Sequence, residues 1–328
     1  MLRLVLGLKG CRSARFGRQF AFRQPEIDRA TVTAMKAEIE KAVALLRRGD
    51  EEGLEQALGL LQSTVFSFSM RVCGQREDAE DTMQEVLLKS VPYLPKFESP
   101  RALVVWLYKV AKNRCLMSRR RSKFAPRQEL SLEDLMPDRK EMEQLAADGR
   151  INPESYAIHS QQASRLREAI QRLPAPYRVV LVLRDMEGLT DDEVAEITGL
   201  RPGTVRVRLH RARLFVRKEM MRAWKPRKIA AAASAGPETG PRPAKCKELF
   251  AELSNYLDDK LDDSMCEELE KHIGGCGPCQ VFIASLEATI EQCRRAPAEC
   301  PAGKEAAKLR KELVRNYRRA LATLASQP

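Results

Sequence analysis

The chain has 328 residues, enough for two or three compact domains, with 44% hydrophobic but only 5% aromatic residues, which favours helices over sheets. No segment nears the ~18 apolar residues of a membrane span. Met1–Leu8 is too short for a signal-peptide core and lacks a small-residue cleavage site. A soluble, cytoplasmic protein with no membrane partner is expected. The net charge of +12 is unevenly placed: eleven Lys or Arg against Glu219 from Arg201 to Lys228, but nine acids against two Lys from Cys246 to Glu270. One segment is suited to a polyanion and another could imitate one. Nine cysteines without an export signal argue against a disulfide framework and for metal or redox chemistry in a reducing compartment.

In chain order, residues 1–34 read as a basic, disordered extension with seven Lys or Arg and no clear apolar period. Met35 opens a helical region that runs to about Phe124, punctuated by Pro92, Pro95 and Pro100. Residues 125–160 are polar and read as an acidic linker. Helical patterning resumes over 161–225. A flexible Ala-, Gly- and Pro-rich linker follows over 226–244. A small cysteine-bearing unit occupies 245–295, and 296–328 contains a last amphipathic helix. No strand pattern appears, so the expected fold class is all-α, with two helical domains, a linker and a small helical metal-binding domain.

Residues 190–213 carry the most specific local signal. Thr190-Asp-Asp-Glu193 is a capping box, Gly199 sits at the helix C′ position, and Arg201-Pro-Gly-Thr204 starts a second helix. Two short helices across a glycine turn, the second strongly basic, make a helix-turn-helix. At about 100° per residue, Val205, Leu209 and Ala212 fall on an inward face. Arg206, Val207, His210 and Arg211 lie opposite, with Arg208 beside them, as candidate DNA contacts. An arginine can read guanine, and Val207 can meet a thymine methyl.

The segments Arg165–Arg178, Val179–Thr190 and Gly203–Arg213 together resemble region 4 of extracytoplasmic-function sigma factors. That resemblance implies recognition of the −35 promoter element. In the first domain, Asp78-Ala-Glu-Asp81 with Gln84 and Glu85 resembles region 2.2 of the same family, which implies docking of Asp78, Asp81, Gln84 and Glu85 on core RNA polymerase. Phe97–Arg101 and Val105–Asn113 resemble the part that melts and reads the −10 element. Trp106, Leu107 and Val110 have core spacing, so the loop Pro95–Arg101 is expected to receive an extruded base. Lys109, Lys112, Asn113, Arg114 and the Arg119–Arg121 run are expected to neutralise phosphates. Arg114-Cys-Leu-Met117 departs from the family, which carries an acid after the asparagine.

His272-Ile-Gly-Gly-Cys276-Gly-Pro-Cys279 offers an imidazole and two thiols at metal-ligand spacing, and tetrahedral Zn2+ needs a fourth ligand. Cys246 heads a helix with core-spaced Leu249, Phe250, Leu253 and Leu257. Cys266, among Met265, Leu269 and Ile273, reads as buried. The arrangement resembles a zinc-binding anti-sigma domain with Cys246, His272, Cys276 and Cys279 as ligands. The resemblance implies a non-enzymatic sigma subunit that partners core polymerase and promoter DNA and is regulated by its own zinc domain through an intramolecular contact. A helix-turn-helix regulator acting without polymerase would leave Asp78–Asn113 unexplained. A thiol redox protein would need a scaffold whose strand pattern is missing here.

Overall fold

The computed structural model describes residues 29–48, 50–90, 92–94, 97, 99–118, 129–137, 141, 160–223, 244–274, 276–298 and 303–325. Among these every regular element is helical, and no single helix is long and apolar enough to cross a membrane. The all-α expectation holds. The helices are α1 Arg29–Arg48, α2 Glu51–Cys73, α3 Arg76–Ser90, α4 Pro100–Ser118, α5 Leu132–Leu135, α6 Ser160–Arg172 and α7 Ala175–Leu181. A π-helical turn Val182–Met186 continues α7. Then come α8 Asp191–Thr198, α9 Pro202–Ala223, α10 Ala244–Leu257, α11 Asp263–Gly274, α12 Gly277–Arg295 and α13 Lys304–Ala325.

The chain divides into two compact units. Of the described residues, one contains those of 29–129, 160–212 and 292–325, and the other those of 130–141 and 213–291. Helix α9 is continuous and contributes to both.

In the larger unit, α2 is central. Leu58, Leu61, Val65, Phe66 and Phe68 are fully buried along it, and it packs against α1, α3, α4 and α13. Asp50 starts α2 by accepting a 2.6 Å bond from Gly53 N–H, and Gly74 ends it in the left-handed conformation at φ 77°. That N-cap separates α2 from α1. Helix α1 begins at Arg29, six residues ahead of Met35, so 29–34 are helical rather than part of an extension. Cys73, the last residue of α2, is disulfide-bonded to Cys115 of α4 with Cα atoms 5.5 Å apart. This departs from the expectation of no disulfides. Helix α13 seats Leu309, Leu313, Val314 and Tyr317 inward. It also satisfies the fully buried Gln62, whose side-chain amide donates to the Ala306 carbonyl at 3.1 Å.

In the smaller unit, α10, α11 and α12 close around Leu249, Leu253, Tyr256, Cys266, Leu269, Ile273, Phe282, Leu286 and Ile290. Leu214 from the second half of α9 and Leu135 from α5 belong to the same core. Leu135 lies inside the segment read from composition as an acidic linker. A Ser131 cap and four leucines or methionines, Leu130, Leu132, Leu135 and Met136, suffice for one buried turn. Residues 1–28, 138–140, 142–159 and 224–243 fall outside the described set, and with them most of the extension and both linkers.

Candidate DNA interface and metal centre

The capping box at α8 forms as read. Thr190 Oγ1 accepts from Glu193 N–H at 3.3 Å, and the Glu193 carboxylate accepts from Thr190 N–H at 2.8 Å. Gly199 takes φ 73° and closes α8. Helix α9 then presents Arg206 and Val207 to solvent, Val207 at 50% exposure, while Val205, Leu209 and Ala212 are buried. Arg208 and Arg211 are half-buried, and the Arg208 guanidinium lies 6.0 Å from the Tyr177 ring.

His210 is corrected by the structure. It is 6% exposed and does not lie on the reading face. The reason lies along its own helix: Arg213, Leu214 and Arg217 occupy the same arc one to two turns on. All three are buried.

Those two arginines form a site the sequence did not suggest. Arg213, 1% exposed, holds Asp258 by two bonds of 2.9 and 3.1 Å. Arg217 donates from Nε to Ser285 at 2.6 Å and from its terminal nitrogen to Glu141 at 3.1 Å, and its guanidinium lies 3.6 Å from the Phe282 ring centre. Lys218 donates to the Asp134 carbonyl at 2.6 Å. A forked, fully desolvated Arg–carboxylate pair gives orientation as well as attraction.

On α3, Asp81 and Gln84 are exposed and Asp78 is half-buried. Glu85 is paired instead, with Lys89 at 2.6 Å and Arg114 at 2.6 Å. The Lys89 hydrogen bond is the main reason that its carboxyl is held below the usual range. Arg114 is thereby committed to α3. Lys109 and Asn113 are exposed on α4, whereas Lys112 is half-buried and donates to the Ile197 carbonyl at 2.7 Å. Burial, with Lys109 nearby, lowers the Lys112 ammonium pKa. Trp106 is half-buried between Tyr93 and Phe97, with both ring centres 5.9 Å away. Tyr93, 49% exposed, extends this aromatic surface beyond the loop picked from sequence. Arg119–Arg121 lie outside the described residues.

In the smaller unit, His272 closes α11, and its Nε2 is 3.8 Å from Cys279 Sγ. Bonds of about 2.0 and 2.3 Å to a tetrahedral zinc would put such atoms about 3.5 Å apart, so this pair fits two vertices. Cys276 precedes α12, whose first turn it starts through a 3.1 Å bond from Gln280 N–H to its carbonyl. The Cys246 side chain lies outside the described residues, and among the described ones no group of three or more metal-binding side chains is assembled. Cys266 is buried and disulfide-bonded, which leaves it no thiolate for a metal.

Comparison with known proteins finds three family matches along the chain. Residues 59–124 match the family of sigma-70 region 2, 163–216 match sigma-70 region 4, and 246–280 match a zinc-finger family. The chain is 28% identical over 187 residues to the ECF RNA polymerase sigma factor SigW of Bacillus subtilis, covering 57% of this chain and 98% of that protein. It is 28% identical over 198 residues to SigD of Mycobacterium tuberculosis, covering 59% and 89%. It is 33% identical over 154 residues to SigE of Mycolicibacterium smegmatis, covering 47% and 56%. The chain thus carries sigma-70 region 2 and region 4 domains and a zinc-finger module, and its relatives are named ECF RNA polymerase sigma factors.

Proposed function

We propose that this protein is a cytoplasmic sigma subunit that binds core RNA polymerase, reads −35 and −10 elements, and is restrained by its own zinc module. The observation that carries the reading is α9. Its first half offers Arg206 and Val207 to solvent in helix-turn-helix geometry, and its second half shares a core with α10–α12. Region 4 thus reads the −35 element through Arg206 and Val207, with Arg208 and Arg211 at the margin. In region 2, the Tyr93–Trp106–Phe97 surface stacks bases from the −10 element, and Lys109 and Asn113 meet its backbone. Asp81 and Gln84 on α3 dock on core polymerase, with Asp78 beside them.

We further propose that Cys246, His272, Cys276 and Cys279 hold one Zn2+, which ties the start of α10 to the α11–α12 corner. A closed four-ligand site supports structure rather than chemistry, because no position is left for water. With the module bound, Arg213 and Arg217 face protein rather than promoter phosphates.

Mixing the full-length protein with core polymerase and sequencing the transcripts tests the central reading. Initiation at a defined set of −35/−10 promoters is expected, and no core-dependent transcript would overturn it. Changing Asp81 and Gln84 together to Ala should abolish co-purification with core at physiological salt. Metal analysis should find one zinc per chain, lost in Cys279→Ser and kept in Cys266→Ser.

A further inference from the structure

We infer that Glu187 clasps region 4 to region 2 and holds two cations of region 2 against the helix-turn-helix until another partner opens the seam. The inference rests on the sigma-factor reading above. Glu187 follows the π-helical turn Val182–Met186, donates its N–H to the Val182 carbonyl at 2.9 Å, and precedes Gly188 at φ 67°. An inserted π turn redirects the chain at one point, and here it turns a carboxylate inward. Glu187 is 4% exposed, and both its side-chain partners belong to region 2. Arg71 of α2 donates to Oε1 at 2.6 Å, and the Tyr108 hydroxyl of α4 donates to Oε2 at 2.7 Å. Burial, followed by the charge of Glu187, raises the Tyr108 phenol well above its usual range, so Tyr108 remains a donor.

The same seam is closed at the end of α2. Gln171 of α6 donates to the Arg71 carbonyl at 2.8 Å, and Arg178 of α7 donates to the Val72 carbonyl at 2.7 Å. A helix leaves its last four carbonyls without intrahelical partners, and region 4 side chains take two of these.

The consequence falls on α4 and α8. Lys112 is committed to the Ile197 carbonyl, and Arg101 lies 3.8 Å from Glu193 and 3.6 Å from Glu196. These two cations of region 2 therefore face the first helix of the helix-turn-helix, not DNA. A buried carboxylate is stable only while its donors stay in place, and removing a partner leaves an uncompensated group. That gives the seam two discrete states, and a ligand that prefers the open one shifts the population toward it.

The test uses the full-length protein with Glu187→Gln, which keeps the shape and removes the charge, and Tyr108→Phe, which removes one hydrogen bond. Hydrogen exchange is followed in α4 and α8, with α10–α12 as an internal control. Binding to a −35/−10 promoter fragment is measured without core polymerase. Glu187→Gln should speed exchange in both α4 and α8 and tighten fragment binding about tenfold, a coupling of ordinary size. Tyr108→Phe should move both in the same direction by less. Unchanged exchange in α4 and α8 for both variants overturns the clasp. If Glu187→Gln also speeds exchange in α10–α12 through general unfolding, Tyr108→Phe decides the matter by the same criterion. Faster exchange with no promoter binding by any form, with or without core, supports the clasp and overturns the promoter reading instead.

Discussion

The two halves of α9 look alike in sequence and do opposite things. Arg206 and Arg213 are both arginines on a basic helix, seven residues apart. Arg206 is exposed, whereas Arg213 is 1% exposed and held by Asp258. The first half buries Val205 and Leu209 and leaves Arg206 and Val207 open to solvent. The second half is enclosed by α10–α12 and the α5 turn. Charge density along a helix therefore does not say which cations meet nucleic acid. Burial on the second side does.

The largest effect that can break this contrast is at Asp258. Asp258→Ala leaves the Arg213 guanidinium buried without its carboxylate, and the smaller unit should lose about 3–5 kcal/mol in urea unfolding. A loss under about 1 kcal/mol would mean that Arg213 reaches solvent. The same variant should transcribe a cognate promoter more strongly than the parent. Because the Arg213 and Asp258 side chains are only 1% and 5% exposed, added salt should relieve restraint only weakly in the parent, unlike an exposed pair screened within about 10 Å at 0.1 M.

Arg206→Ala should do the reverse. Stability should stay within about 0.5 kcal/mol, as for an exposed site, while binding falls by about 1–3 kcal/mol at one base position of the −35 element. Equal loss on every sequence would reduce Arg206 to an electrostatic anchor. The smallest effect is expected at Arg222, whose side chain is 73% exposed and pairs only at the surface with Glu219, 3.1 Å away. Arg222→Ala should weaken all sequences alike and lower the salt slope of binding by about one.

What the sequence showed clearly was local. The Thr190–Glu193 box, the Gly199 stop and the Val205–Leu209–Ala212 face need only neighbours within one or two turns, and each appears as read. The α10 core positions Leu249 and Leu253 follow the same 3.6-residue logic. What escaped depended on distant partners. Arg213 finds its carboxylate 45 residues away, Arg217 finds Ser285 68 residues away, and Glu187 finds Arg71 116 residues away. His210 was placed on the exposed arc, but it is 6% exposed and lies on the arc that Arg213, Leu214 and Arg217 continue. Leu135 was hidden by polar flanks, since a four-residue helix is too short to show a period.

Helix α9 has one further consequence, because a single unbroken helix of 22 residues is shared by both units. Binding events in the two units that it joins obey reciprocity. If filling the metal site lowers promoter affinity by some factor, promoter DNA must lower metal affinity by that same factor. A cognate −35 fragment would then act as a mild chelator's assistant, speeding the transfer of zinc from the protein to a competing ligand, while a scrambled fragment of equal length would not. The metal's own equilibrium would then become a gauge of which DNA the first half of α9 has met.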